Sequence, residues 1–137
     1  MPLVSLELHN IRVYEHAQLE PSPHLNLISG ANASGKTTLL EAIYLLGTGR
    51  SFRTAQTEQV RRNGSSSLSI TGKLQNEGGE TVRLGLIHCI GGRRVSINGL
   101  EQKQVSSLAL HLPLQVISPD THYDFQQNAK HRRGVLD

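Results

Sequence analysis

The chain has no tryptophan, one cysteine and one methionine, and aromatic residues make up 4% of its 137 positions. A core with so few rings must be filled by Leu, Ile and Val, which points to layered helices and sheets and away from an aromatic-rich or disulfide-bound scaffold. Cys89 has no second thiol to pair with, so an internal disulfide is excluded. Within its apolar run it reads as a small buried side chain in a protein of a reducing compartment. No apolar stretch is long enough to span a bilayer, and MPLVSLELHN carries Glu7 and no basic leader. Neither a signal peptide nor a membrane span is expected, and the reading is a cytoplasmic protein with no membrane partner. Charge of one sign is also scarce: 14 Lys+Arg against 11 Asp+Glu leave a net +3, which favours nucleic acid as a partner only slightly. The seven histidines lack the local spacing of a zinc motif, and there is no Ser/His/Asp or Cys/His array.

What is present is organised by period. LVSLEL at residues 3–8 alternates as a half-buried strand, and NIRVYEHAQLEP reads as a second strand folded back on it. Pro21 and Pro23 break the chain before HLNLIS, expected to be a short apolar strand running into Gly30. From Gly35 the period changes. Leu39, Ala42, Ile43 and Leu46 fall three or four apart, which predicts a helix ended by Gly47 and Gly49. Between residues 66 and 98, SLSITGKL, TVRLGLIHCI and RVSI, separated by glycine-rich turns, predict an antiparallel meander with Asn98-Gly99 as a tight turn. A helix is expected from Glu101 to Leu110, then LQVIS as a strand closed by Pro119, then the polar segment THYDFQQNAKHRR. The fold class is α/β with α+β character, in a single domain without repeats or linkers.

Gly30, four residues, then Gly35-Lys36-Thr37 reproduce G-x-x-x-x-G-K-[ST], the P-loop or Walker A pattern. The glycines let the backbone curl so that successive N–H groups point at a polyanion, and the following helix offers its positive end to the same phosphates. The expected ligand is ATP with Mg²⁺, cradled by Gly30, Ala31, Asn32, Ala33, Ser34, Gly35, Lys36, Thr37 and Thr38. Lys36 is the catalytic cation at the β- and γ-phosphates, and the Thr37 hydroxyl is the metal ligand. Hydrolysis also needs a carboxylate at the end of a neighbouring apolar strand. No run of four apolar residues followed by Asp or Glu occurs; the nearest candidate is LQVISPD, with Asp120 two residues beyond its strand. The chain therefore reads as half a site.

The stretch GANASGKTTLLEAIYLLGTGRSFRT resembles the P-loop region of the RecF family, bacterial recombination and repair ATPases of the ABC class related to SMC proteins. The more specific likeness lies in Gly49 to Thr54 (GRSFRT), the Ile97-Asn98-Gly99 turn, Leu112-Pro113, Ser118-Pro119-Asp120, and Arg132-Arg133 followed by Leu136-Asp137. The resemblance implies the N-terminal lobe of an ABC-type head, an antiparallel meander joined to a P-loop strand and helix. Residues 1–137 would be the N-terminal part of that head, with the signature motif, the Walker B carboxylate and the second lobe farther along. It implies an ATP-dependent homodimer with ATP sandwiched between two heads. Such a protein binds single- and double-stranded DNA through the backbone in DNA replication, recombination, repair and the SOS response, and helps RecR and RecO load RecA. The whole protein would be a weak DNA-dependent ATPase, while this chain would bind ATP-Mg²⁺ weakly and hydrolyse it hardly at all.

By the same resemblance Arg12 contacts the phosphate or ribose, Arg50 and Arg53 hold nucleotide or shape a dimer-facing loop, and Gln115 and Asp120 flank a segment that senses the γ-phosphate. The chain departs from the family at Ala33, where glycine is usual, and at Gln127 to Lys130, where a Gly-x-Pro turn precedes the basic pair. The pairs Arg61-Arg62, Arg93-Arg94 and Arg132-Arg133 are candidates for a DNA-facing surface. Rival readings are an SMC-like or overcoming-lysogenization-defect-like head, a P-loop kinase, which the meander after the P-loop helix argues against, and a vestigial P-loop.

Overall fold

A computed structural model describes residues 1–29 and 35–114 of the chain. Alternation builds the first hairpin. In β1 (Leu3–Ile11) Leu6, Leu8 and Ile11 are fully buried, while Glu7 and His9 face the other way. β2 (Tyr14–Leu19) returns antiparallel, in register from Leu6↔Leu19 to Ile11↔Tyr14. Three more long runs follow the same rule: β3 (Ser67–Gln75), β4 (Thr81–Cys89) and β5 (Gly92–Ile97). Asn98 and Gly99, with φ of 53° and 83°, then turn the chain tightly into β6 (Leu100–Gln102). Two successive positive φ values are what a two-residue hairpin turn asks of Asn-Gly. All neighbouring pairs are antiparallel, in the order β2-β1-β3-β4-β5-β6.

One face of this sheet is apolar and is covered by α1 (Lys36–Thr48). Leu39, Ala42, Leu45 and Leu46 of the helix pack with Leu6, Leu8, Ile70, Leu74 and Leu84 of the strands. Each fully buried leucine contributes about 1.5–3 kcal/mol. The cover positions the helix N-terminus beside the β1–β2 turn, which is where the site forms. Gly49, at φ 78°, ends α1 and returns its N–H to Leu45 O at 2.7 Å. A 3₁₀ turn over Thr57–Val60 and the short α2 (Ser106–Ala109), with Leu108 buried, close the ends of the core.

Four expectations need correction. HLNLIS does not form a strand within the described residues: the chain from Leu25 to Ser29 makes no ladder, and Leu25 and Leu27 stand almost fully exposed. Alternating apolar residues make a strand only where a neighbouring strand can take their backbone groups, and none of the six lies beside them. The helix expected from Glu101 is displaced, because the Asn98-Gly99 turn commits Leu100–Gln102 to pairing with β5 and helix begins only at Ser106. Gly47 does not end α1 but lies buried inside it. Cys89, expected in the core, sits half-buried at the end of β4, where its thiol donates to Gly92 O at 3.4 Å. The expected LQVIS strand after Leu114, the polar segment after it, and the residues Gly30 to Ser34 lie outside the described residues.

Candidate functional site

α1 begins without a side-chain cap. Gly35 stands at its N-cap with φ 92°, and its first turn holds no acidic residue. The N–H groups of that turn, which have no partner within the helix itself, and the positive end of the helix dipole lie at the same end. Glycine is required at this position on two counts. The left-handed backbone disfavours a side chain, and a Cβ there would stand 2.6 Å from the Tyr14 hydroxyl oxygen. The helix start opens into a cleft of about 350 Å³ lined by Arg12, Val13, Gly35, Lys36, Thr37, Thr38 and Arg53.

Arg12 reaches the cleft from the turn between β1 and β2. Its φ of 47° lies in the left-handed region, a conformation a non-glycine residue holds only when its surroundings fix it. Here they do. The Arg12 N–H donates to Val60 O at 2.9 Å, the Arg62 N–H to Asn10 O at 2.8 Å, and the Arg62 guanidinium to Val13 O at 2.8 Å.

The Arg12 side chain is fixed as firmly. Nε donates to Glu41 Oε1 at 2.6 Å and Nη2 to Glu41 Oε2 at 3.0 Å, a bidentate pair. Glu41, on α1, has a fully buried side chain, and that of Arg12 is 25% exposed. The Ser51 hydroxyl also donates to Glu41 Oε2, and Arg53 Nη1 lies 3.6 Å from Oε1. Ser51 Oγ in turn accepts the N–H groups of Arg53 at 2.9 Å and Thr54 at 3.3 Å, which folds GRSFRT around the carboxylate. The hydrogen bond to Glu41 holds Arg12 above the usual guanidinium range against the opposing effect of partial burial, so it stays charged. Of five guanidinium N–H donors Arg12 uses two on Glu41, which leaves three for the cleft side.

The donor chemistry fits a polyanion. Three cationic side chains, Arg12, Lys36 and Arg53, line the cleft with the helix N-terminus, and among the described residues no carboxylate lines it. Thr37 is exposed at its rim and Thr38 is buried behind it. Of the expected site residues the structure thus brings together Gly35, Lys36, Thr37, Thr38, Arg12 and Arg53. Arg50 lines a separate depression with Ser51 to Ala55. Gly30, Ala31, Asn32, Ala33, Ser34, Gln115, Asp120 and Arg132-Arg133 lie outside the described residues.

Sequence reasoning assigned no role to Glu41 or Ser51. A signal for the first existed: Glu41 interrupts the stripe Thr38, Ala42, Leu45 that the helical period buries, and a carboxylate in such a stripe needs a cation. Two of the basic pairs expected to face DNA have internal duties. Arg62 braces the Arg12 turn, the Arg61 guanidinium donates to Ser66 O, and the Arg93 guanidinium donates to Gly49 O at the end of α1. Arg94 lies 4.0 Å from Glu101.

The chain matches the AAA domain family over residues 5–131. It is 40% identical to the DNA replication and repair protein RecF of Psychromonas ingrahamii and 41% identical to that of Nitrosococcus oceani, in each case over 100% of this chain and 38% of the relative. The chain thus spans 38% of the length of the curated relatives it matches. Among solved structures, the recombination mediator protein RecF-ATP of the RecFOR pathway superposes with a TM-score of 0.88 at 26% identity, covering 98% of this chain and 36% of that one. The SMC head domain from Thermotoga maritima, 19% identical, shares the fold with a TM-score of 0.62 over 81% of this chain and 42% of its own.

Proposed function

The chain belongs to the AAA domain family and matches the N-terminal portion of RecF, and from that premise we propose that it is the nucleotide-binding part of a DNA replication and repair ATPase. Residues 1–137 form the N-terminal part of an ABC-class head, with the signature motif, Walker B carboxylate and second lobe supplied by further sequence. The exposed Leu25 and Leu27 support this, since they offer an apolar edge to neighbouring strands. The observation that carries the reading is the convergence of Arg12, Lys36, Thr37 and Arg53 on the uncapped N-terminus of α1.

ATP, with Mg²⁺, would supply the triphosphate that this chain recognises. Gly30, Ala31, Asn32, Ala33, Ser34, Gly35 and Thr38 would offer backbone N–H groups to the phosphates, Lys36 would hold the β- and γ-oxygens as a point charge, and Thr37 would ligate the metal. Arg12 presents its remaining N–H groups from the turn, and Arg53 closes the other wall. With no carboxylate on the described lining, this chain binds nucleotide and does not turn it over efficiently. In the whole protein ATP binding drives homodimerisation and DNA-backbone binding, and the protein assists RecA loading with RecR and RecO in a cytoplasmic repair pathway.

Calorimetric titration of the chain with ATP and Mg²⁺ tests the reading. One saturable site is expected, weakened at least tenfold in Lys36→Ala, with no steady-state phosphate release. Equal affinity in Lys36→Ala would overturn the assignment of the cleft, and turnover abolished by the same substitution would overturn the claim that catalysis needs further sequence.

A further inference from the structure

Away from the cleft, on the uncovered face of the β1–β2 hairpin, three side chains converge that the nucleotide reading does not use. His9 and His16 are direct cross-strand partners, their rings stacked with centroids 4.5 Å apart and planes 21° from parallel. Glu7, two residues before His9, projects from the same face. Its Oε2 lies 3.0 Å from His16 Nε2 and 3.4 Å from His9 Nε2, and the three atoms all lie within 4.8 Å of one another.

These separations have a chemical meaning. A tetrahedral zinc ion with bonds of about 2.0–2.1 Å to nitrogen and oxygen holds its ligand atoms about 3.3 Å apart. Two edges of the Glu7–His9–His16 triangle, 3.0 and 3.4 Å, are close to that length in the structure, and the third is within 4.8 Å. Both imidazoles turn Nε2 toward one carboxylate oxygen, with His16 Nε2–H donating to Glu7 Oε2 at 3.0 Å, and a divalent cation would take the place of that proton. A cation at their common centre takes all three as ligands. We propose that Glu7, His9 and His16 form a two-histidine, one-carboxylate site for a zinc-class divalent cation, with water in the fourth position. Imidazole ligation selects such ions over Mg²⁺, so this site is distinct from any metal held at the P-loop. It is independent of the nucleotide reading. The next pair along the ladder is Ile11↔Tyr14, and the turn beyond it carries Arg12, so a bound ion ties the edge strand to its neighbour just below that turn.

The test uses the 137-residue chain stripped with a chelator and kept in excess Mg²⁺. Titration with Zn²⁺ by calorimetry is expected to give one ion per chain and a raised melting temperature, and Co²⁺ is expected to give the visible bands of a four-coordinate ion. His9→Ala and His16→Ala each weaken Zn²⁺ binding at least tenfold, Glu7→Gln weakens it less, and His24→Ala leaves it unchanged. Metal-free melting of each variant shows whether the hairpin is intact, and His16→Gln repeats the measurement if His16→Ala fails to fold. No Zn²⁺ binding by the parent chain, or undiminished binding by a folded His9→Ala/His16→Ala double variant, would overturn the assignment.

Discussion

Arg12 and Glu41, 29 positions apart in the sequence, are joined by two hydrogen bonds of 2.6 and 3.0 Å that tie the β1–β2 turn to the middle of the helix following the P-loop. The pair is unequal. The Glu41 side chain is wholly buried, whereas a quarter of the Arg12 side chain stays exposed.

That inequality predicts which partner is harder to lose. Arg12→Ala leaves a buried carboxylate with only Ser51 and the more distant Arg53, whereas Glu41→Gln leaves an arginine that can turn toward water. Arg12→Ala should therefore cost about 3–5 kcal/mol, the range for breaking a buried pair, and Glu41→Gln clearly less. Urea unfolding of both variants and their double mutant measures the difference. Equal losses would mean that the carboxylate is better solvated than its burial implies.

Gly35→Ala strikes the site and the fold together. The left-handed backbone costs about 1–2 kcal/mol for an alanine, and the new methyl group meets Tyr14 at 2.6 Å. Adding Tyr14→Ala should relieve the contact and leave the backbone cost. Thermal melts of the single and double variants check this, with only partial recovery expected in the double.

Ser51→Ala removes a donor to Glu41 and the acceptor of two loop amides at once. A loss of about 1–3 kcal/mol follows from groups left unsatisfied. Hydrogen exchange should quicken at Arg53 and Thr54, while the amides of β3 and β4 keep their protection.

His88 gives the chain a pH dependence of definite sign. Burial, then the charge of Arg61, pushes its imidazole below the ordinary 6.5, with Glu58 opposing and Arg93 assisting. Among the described residues its Nδ1 has no hydrogen-bond partner. The folded chain thus holds His88 neutral where the unfolded chain, with a pKa of about 6.5, has begun to bind a proton. Stability should fall as pH drops below about 6.5 and level off once the folded state also protonates. In chelator, the melting temperature of His88→Gln should decline less between pH 7 and 5.5 than that of the parent.

Where the fold was legible, local pattern sufficed. The period change at Gly35 marks α1, alternation marks the meander, and Asn98-Gly99 marks its last turn. The errors come from what pattern cannot hold. HLNLIS alternates like a strand, yet no described strand lies beside it, and the apolar residues of Glu101 to Leu110 suit a helix that strand pairing with β5 overrides at its start. The site divides similarly. Lys36 and Thr37 are legible from spacing, because the P-loop is local in sequence. Glu41 and Ser51 acquire meaning only when the β1–β2 turn arrives beside α1, and His9 meets His16 only through strand register.

The buried carboxylate also sets the entropy of recognition. An arginine side chain free in water carries about 2 kcal/mol of rotamer freedom, which a ligand would ordinarily have to suppress. Glu41 suppresses it during folding and leaves the outer N–H groups of Arg12 aimed at the cleft before any phosphate arrives. Association with the anion then has less disorder to overcome, and a substitution at Glu41 should be felt as a slower, weaker capture by an arginine that still carries its full charge.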